Sequence, residues 1–252
     1  MKIYKRNKFI LQALPAIFIF TVIICPIFYR IVPDTRAAGF MDRNAKKDVI
    51  KKESQREGTM NEKDKLTREE GEYLLALARK TIEEKLFNKD LPEDNKNISE
   101  KYLEKRGTFV TLTIHHNLRG CIGHIVPHEA LIDGIKVNAI NAAFRDPRFP
   151  PLSKEEWKNV KVEISILTEP VPLEYSGAGD LFDKLRPGID GVIIKNEYSQ
   201  SAVFLPQVWD QLPDKAEFLT HLCIKAGMNG NEWKRGELTV YIFQVQAFEE
   251  EH

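Results

Sequence analysis

The sequence lacks an excess of charge of either sign. It contains 37 lysine and arginine residues and 37 aspartate and glutamate residues, so the formal net charge of the 252-residue chain is zero. Proteins that bind nucleic acid neutralise phosphates with a basic surface, and the even balance disfavours that class. The hydrophobic fraction of 42% and the charged fraction of 29% are ordinary for a globular protein.

Cysteine is also scarce. Cys25 lies in an apolar N-terminal run, which leaves Cys121 and Cys223 for the folded part. That number excludes a secreted domain stapled by many disulfides, although one bridge between the two remains open in an oxidising compartment. The chain also has no phosphate-binding glycine loop, no Gly-x-Ser-x-Gly elbow and no Cys-x-x-Cys motif. The sequence therefore leaves the cofactor unknown.

The first 32 residues predict a membrane anchor or an uncleaved signal. Residues 9–29 carry no charge and follow four basic residues, and a 21-residue apolar run is long enough to span a membrane as a helix. A cleavable signal is the alternative, because residues 35–37 offer a weak cleavage site. Basic residues are almost equally frequent on the two flanks, so the side of the membrane on which the domain lies stays open.

Residues 33–65 predict a charged flexible linker, and residues 66–252 predict one compact domain. The linker has few large apolar residues and cannot bury enough surface to offset its chain entropy. In the domain, helical and strand patterns are mixed, and strands often follow one another directly. This order predicts an α+β fold with a mainly antiparallel sheet flanked by helices.

Local patterns place the elements of that domain. Capping boxes, in which a Thr or Ser precedes a Glu by three residues, predict helix starts at Thr67 and Ser153. Helical periodicity or alternation then predicts the other elements. The predicted helices are 68–86, 129–144, a short one after 153, one within 176–190, and 214–226; the predicted strands are 108–114, 118–125, 160–167, 191–195, 202–205 and 238–248.

The densest chemical signal is the strand segment Leu118-Arg119-Gly120-Cys121-Ile122-Gly123. A three-residue turn at 115–117 would pair Leu112 with Gly120 and place Arg119 and Cys121 on the polar face. A two-residue turn would instead bury Arg119 among apolar residues, which is costly for an unpaired guanidinium. A guanidinium beside Cys121 would lower the pKa of the thiol and make it a nucleophile. The plainer interpretation is an inert cysteine where bulk is forbidden.

A second cluster follows the predicted helix 129–144. Asp146 and Arg148 bracket Pro147, which holds them rigidly. They are candidates to bind an anion or to orient Cys121, and the alternative is a loop ion pair that shapes the turn.

A metal site is disfavoured. The spacing Cys121-x2-His124-x3-His128 resembles that of metal ligands, but Cys121 and His124 fall on opposite faces of a strand and His128 lies beyond Pro127. These histidines are expected to lie on the surface and in loops, so no metal is predicted.

Five separated motifs, in order, resemble the AMMECR domain family over about residues 66–250. They are 118–123, 141–149, 164–167, 204–208 and 218–227. The resemblance implies a fold of two subdomains, with an antiparallel sheet in the larger. It also implies membership of a three-part system, AmmeMemoRadiSam, whose other components are a MEMO-type protein and a radical SAM protein. The family's suspected site corresponds here to Arg119, Gly120, Cys121 and Gly123, with Asp146 and Arg148 as neighbours. The N-terminal anchor departs from the soluble members of the family.

Two functions follow. In the first, a membrane-tethered binding module, the glycines let a partner or ligand approach and the thiol does no chemistry. In the second, a thiol-dependent enzyme or carrier, Cys121 is the nucleophile and Arg119 holds the thiolate or an anionic substrate. The lack of a recognisable acid–base pair favours the binding module.

Overall fold

The computed structural model describes residues 65–90 and 99–251. The predicted anchor, and all of the predicted linker except Lys65, lie outside the described residues. Within them, no helix is long and apolar enough to cross a membrane.

The described part of the chain forms five α-helices and eight strands. The helices are α1 Arg68–Phe87, α2 Leu131–Phe144, α3 Lys154–Trp157, α4 Ala178–Lys184 and α5 Lys215–Lys225. The strands are β1 Gly107–Ile114, β2 Asn117–His124, β3 Val160–Leu167, β4 Val171–Pro172, β5 Gly191–Lys195, β6 Ser201–Phe204, β7 Thr239–Phe243 and β8 Val245–Glu249. Three short 3-10 helices, at Glu100–Leu103, Pro206–Asp210 and Glu232–Arg235, were not anticipated. Both predicted capping boxes are present, at Thr67 and at Ser153.

The first sheet has the strand order β2-β1-β3-β8, and every pair in it is antiparallel. Helices α1 and α2 cover one face, because both carry an apolar stripe that packs on the inward side chains of the strands. The resulting core includes Leu74, Ala78, Ile135, Ala139, Val110, Leu112, Val162 and Ile164. The opposite face of this sheet, which we call the open face, carries the alternate residues of each strand. Cys121, Thr111 and Glu163 are partly exposed there, whereas Phe109, Ser165 and Leu167 are buried.

The second sheet has the order β4-β7-β5-β6 and is also antiparallel. Its own core lies under α4 and α5 and includes Leu181, Val192, Ile194, Phe218, Leu222 and Val240. The α+β class and the antiparallel pairing are thus confirmed, with the antiparallel strands divided between two sheets.

The prediction that residues 238–248 form a single strand is wrong. It divides at Gln244, so that β7 belongs to the second sheet and β8 to the first. Thr168 holds this crossing, because its N–H donates to the Gln244 carbonyl and its Oγ1 accepts from the Gln244 N–H, both at 2.9 Å. The chain alternates smoothly through this point, so the change of sheet depends on a contact that is distant in sequence.

Candidate functional site

The hairpin that carries Cys121 is built differently from the prediction. The turn contains two residues, His115 and His116, both with positive φ, rather than three. The register shifts between Leu112 and Thr113, and Arg119 is the extra residue that has no partner on β1. This bulge restores the expected pairing beyond it, so Gly120 faces Leu112 and Cys121 faces Thr111.

The two glycines of the motif are required by close packing. A Cβ atom on Gly120 would clash with the Ala142 carbonyl of α2, on the side of the sheet that the helices cover. A Cβ atom on Gly123 would clash with the Thr108 carbonyl and with the ring of Phe109. Glycine within a strand often marks such an approach of backbone or side chain.

Arg119 is neutralised by a partner other than the thiol. It is 7% exposed, its Nε donates to Glu156 Oε1 at 2.7 Å, and its Nη2 donates to the Pro150 carbonyl at 2.9 Å. The hydrogen bonds from Arg119 lower the pKa of Glu156 to about 2. Its Nη1 atom is buried without a hydrogen-bond partner. The two-residue turn therefore does bury Arg119, and an ion pair makes that burial tolerable.

Asp146 and Arg148 hold the backbone of Cys121 at the outer edge of the first sheet. Asp146 Oδ2 accepts from the Cys121 N–H at 2.8 Å, and Arg148 Nη2 donates to the Cys121 carbonyl at 3.1 Å. The two side chains also bind each other, with Arg148 Nη2 and Asp146 Oδ2 at 2.6 Å. Together they take the place that a neighbouring strand would occupy.

The Cys121 thiol is not activated as the sequence suggested. Burial raises its pKa above the ordinary value, and Glu163 and Asp146 act in the same direction. The hydrogen bond from Thr111 Oγ1 to Sγ, at 3.4 Å, and the charge of Arg148 oppose that rise without reversing it. Arg119 is bound to Glu156 and Arg148 to Asp146, so neither guanidinium lowers the pKa of the thiol below its ordinary value.

Sequence reasoning missed Glu163. Cross-strand pairing sets Cys121, Thr111, Glu163 and Glu249 in one row over the four strands of the open face. Burial raises the pKa of Glu163, and the neighbouring carboxylate of Glu249 adds to the rise. Alternation along β3 put Glu163 on the polar face, but only the register of β3 with β1 brings it near the thiol.

The rings of His124 and His128 lie 5.7 Å apart, whereas His115 and His116 form the hairpin turn. His124 pairs with Thr108, three residues from Thr111, so it faces away from Cys121 as expected. Its Nδ1 lies 3.5 Å from Asn138 Nδ2, and burial lowers its pKa. In the described ranges, no group of three or more His, Cys, Asp or Glu side chains is placed to hold a metal ion.

The two cysteines of the domain are both free. Cys121 is partly buried in β2, and Cys223 is fully buried in α5 under the second sheet. The bridge that the sequence left open does not form.

The site therefore combines a thiol and a carboxyl group whose pKa values are both raised, with a hydroxyl group between them in the row. The structure brings Gly120, Cys121, Gly123, Asp146 and Arg148 together, while Arg119 is turned to Glu156. Such a surface offers hydrogen-bond donors and acceptors, and a neutral thiol is a weak nucleophile.

Comparison with known proteins agrees with this architecture. The family model described as AMMECR1 matches residues 75–248. A protein of Methanothermobacter thermautotrophicus is 42% identical over 190 residues, which cover 74% of this chain and 97% of the relative. A protein of Nanoarchaeum equitans is 41% identical over 182 residues, covering 71% of this chain and 99% of the relative. The crystal structure of an uncharacterized protein from Pyrococcus horikoshii superposes with a TM-score of 0.64 at 38% identity, covering 72% of this chain and 92% of that chain.

The match spans both sheets and includes the strand that carries Cys121 and the loop with Asp146 and Arg148. The chain therefore belongs to the AMMECR1 family.

Proposed function

We propose that this protein is a partner- or ligand-binding component of a system that also contains a MEMO-type protein and a radical SAM protein. We further propose that residues 9–29 tether it to a membrane. The binding surface is the open face around Cys121 and Glu163.

The observation that carries this proposal is the environment of the Cys121 thiol, which is partly buried and lies among cations that are already neutralised. Burial raises the pKa of the thiol, and the guanidinium groups of Arg119 and Arg148 are each paired with a carboxylate. A nucleophilic cysteine needs the opposite environment, in which an unneutralised cation or a base favours the thiolate. A neutral thiol beside the Thr111 hydroxyl instead suits recognition by hydrogen bonds and contact.

The glycines support the same conclusion. Gly120 and Gly123 are explained by packing against Ala142 and Phe109, so the motif has a structural reason to exist without a reaction. Asp146 and Arg148 fix the main chain of Cys121, which gives the surface a single rigid shape. Rigid surfaces lose less entropy when they bind.

A thiol-dependent enzyme or carrier is the second candidate, and the position of Glu163 favours it. Glu163 lies in the same cross-strand row as Cys121, with Thr111 between them. The raised pKa of Glu163 makes its carboxylate a better proton acceptor than an ordinary glutamate. In this function, Glu163 would remove the proton from Cys121 when a substrate approaches.

Binding of the purified MEMO-type and radical SAM proteins to the full chain in detergent micelles tests the proposal. We expect Cys121→Ser to keep its affinity within about twofold, because a hydroxyl retains the neutral hydrogen-bonding group. Glu163→Arg places a long cation on the open face and should weaken binding by about tenfold or more. Glu155→Arg, on the exposed side of α3, is the matched control and should bind normally.

Two outcomes would contradict the binding function. If neither protein binds the wild-type chain, the partner proposal is wrong. The enzyme or carrier would be favoured if a covalent adduct forms on Cys121 of the wild-type chain. The Cys121→Ser variant should then form no adduct and should also lose the protein's activity in cells.

The tether is tested separately. The full chain should stay in the membrane fraction after a carbonate wash, and a chain without residues 1–32 should not. Equal release of both proteins would contradict the anchor.

A further inference from the structure

Among the described residues, strand β8 is an edge strand that pairs with β3 on one side only. In an antiparallel pair, alternate residues exchange hydrogen bonds with the neighbouring strand, and the residues between them point their N–H and C=O groups outward. The Glu250 N–H donates to the Val162 carbonyl at 3.1 Å. By alternation, Phe248 and Gln246 are the residues of β8 whose main-chain groups face β3. The main-chain groups of Val245, Ala247 and Glu249 therefore point away from β3.

Two other edge strands, β2 and β6, have main-chain groups that are bonded by side chains. On β2, Asp146 and Arg148 bond both main-chain groups of Cys121. On β6, Lys225 Nζ donates to the Val203 carbonyl at 3.0 Å. Across residues 65–90 and 99–251, no hydrogen bond reaches the outward main-chain groups of β8. Proteins normally protect an exposed edge, and β8 carries no proline, lysine or bulge; its one charged side chain is that of Glu249.

The side chains of β8 leave room for another strand. On the open face, Ala247 and Glu249 are exposed and Val245 is partly buried. Ala247 is small and lies opposite Ser165, so it does not obstruct a neighbouring strand. Glu249 lies directly opposite Glu163, and like charges in that relationship destabilise a sheet.

We propose that the free edge of β8 is the docking site for an extended segment of a protein partner. The segment adds a strand to the first sheet, and it places a basic side chain beside Glu249 and an apolar side chain beside Val245. This inference deepens the proposed function and rests on its claim that the domain binds a protein partner.

Charge and geometry select this occupant. The positive charge beside Glu249 relieves its repulsion with Glu163, and it extends the row that begins at Cys121. Main-chain hydrogen bonds supply affinity in such strand addition, while alternate side chains supply specificity. A partner segment with the pattern basic–x–apolar–x–apolar in a β-prone sequence fits the three outward positions.

The probe is a fluorescein-labelled peptide, Thr-Lys-Thr-Val-Thr-Val-Thr, with blocked ends. Its matched control carries Glu in place of Lys. Fluorescence anisotropy with the full chain in detergent micelles measures the affinity of both. We expect the Lys peptide to bind more tightly, and Glu249→Lys to reverse the preference between the two peptides. Glu197→Lys, an exposed position on the turn between β5 and β6, changes the net charge equally and should not reverse it.

Ala247→Pro tests the backbone contribution. Proline removes the outward N–H at a position that does not bond to β3, so the existing ladder is preserved. Affinity for the Lys peptide should fall by about threefold to tenfold, the effect of losing one hydrogen bond. Since this variant can misfold, amide hydrogen exchange on the wild-type chain gives a second measurement: the bound peptide should protect the N–H groups of Ala247 and Glu249.

The inference would be overturned if neither peptide binds, or if folded Ala247→Pro binds the Lys peptide with unchanged affinity. It would also be overturned if the bound peptide leaves the amides of Ala247 and Glu249 unprotected. A dimer of the free chain that Ala247→Pro dissociates would show instead that a second copy occupies the edge. Equal binding of both the MEMO-type and the radical SAM protein by wild type and Ala247→Pro would overturn the edge site while leaving the proposed function intact. Peptide binding without binding of either system protein would count against the proposed partners alone.

Discussion

Asp146 binds the main chain of Cys121 through an N–H to Oδ2 hydrogen bond of 2.8 Å. The carboxylate is 3% exposed and also accepts from the backbone and side chain of Arg148. Burial would raise the pKa of Asp146, but these hydrogen bonds outweigh it and lower the pKa. A loop residue thereby fixes the position of the strand residue at the centre of the candidate site.

Replacement of Asp146 should destabilise the domain. Asp146→Ala leaves the Cys121 N–H and the Arg148 guanidinium without their acceptor, so we expect the free energy of unfolding to fall by about 3–5 kcal/mol at pH 7. Asp183→Ala removes an exposed carboxylate from α4 and should change it by less than about 0.5 kcal/mol. Urea unfolding of both variants measures the difference, and equal midpoints would contradict the role given to Asp146.

The ion pair of Glu156 with Arg119 predicts a pH dependence of stability. The pKa of Glu156 is lowered to about 2. A lowered pKa in the folded state adds stability that is present above the unfolded value of about 4.5 and is lost as the pH falls toward 2. Because the Glu156 side chain is 35% exposed, solvent screening reduces its share to about 1–2 kcal/mol.

Glu156→Gln should therefore lose part of the wild-type acid sensitivity between about pH 5 and pH 2. It should also be less stable at pH 7, because Arg119 stays buried with a weaker partner. Glu155→Gln, the exposed neighbour, should keep the wild-type pH profile. Unfolding midpoints in urea at several pH values provide the measurement. A Glu156→Gln profile that parallels the wild type at every pH would refute the ion-pair account.

The sequence predicted much of the site, but not how the site is held. Alternation along β1 and β2 paired Leu112 with Gly120 and put Cys121 beside Thr111, and the structure agrees. The two-residue turn was missed because residues with positive φ in such turns are usually Asn or Gly, and here they are His115 and His116.

The missed features all depend on contacts between distant segments. The bulge at Arg119 places its guanidinium on Glu156, 37 residues away. Glu163 reaches the row of Cys121 only through the register of β3 with β1. Periodicity reports which face a side chain occupies, but it does not report which strand lies beside it.

Replacement of either glycine of the motif by alanine should destabilise the domain. Gly120→Ala and Gly123→Ala each force a methyl group against a backbone carbonyl, so each should lower the free energy of unfolding by about 1–3 kcal/mol. Gly179→Ala is the control, since its Cβ would meet nothing within 4 Å and the residue lies in α4. There alanine should stabilise by about 0.5–1 kcal/mol. Thermal melts of the three variants would contradict the packing role if all shifted alike.

Alkylation of Cys121 tests the electrostatics of the site directly. The pKa of the thiol is raised, so its reaction with iodoacetamide on the folded full chain should be slow at pH 7 and accelerate only above the ordinary thiol value of about 8.5. Glu163→Gln removes a charge that raises this pKa and should shift the rate profile to lower pH, whereas Glu155→Gln should not. Cys223, fully buried, is the internal reference by mass spectrometry. Rapid modification of Cys121 below pH 7 would mean that the thiolate is stabilised, and the enzyme or carrier would then replace the binding module as the favoured function.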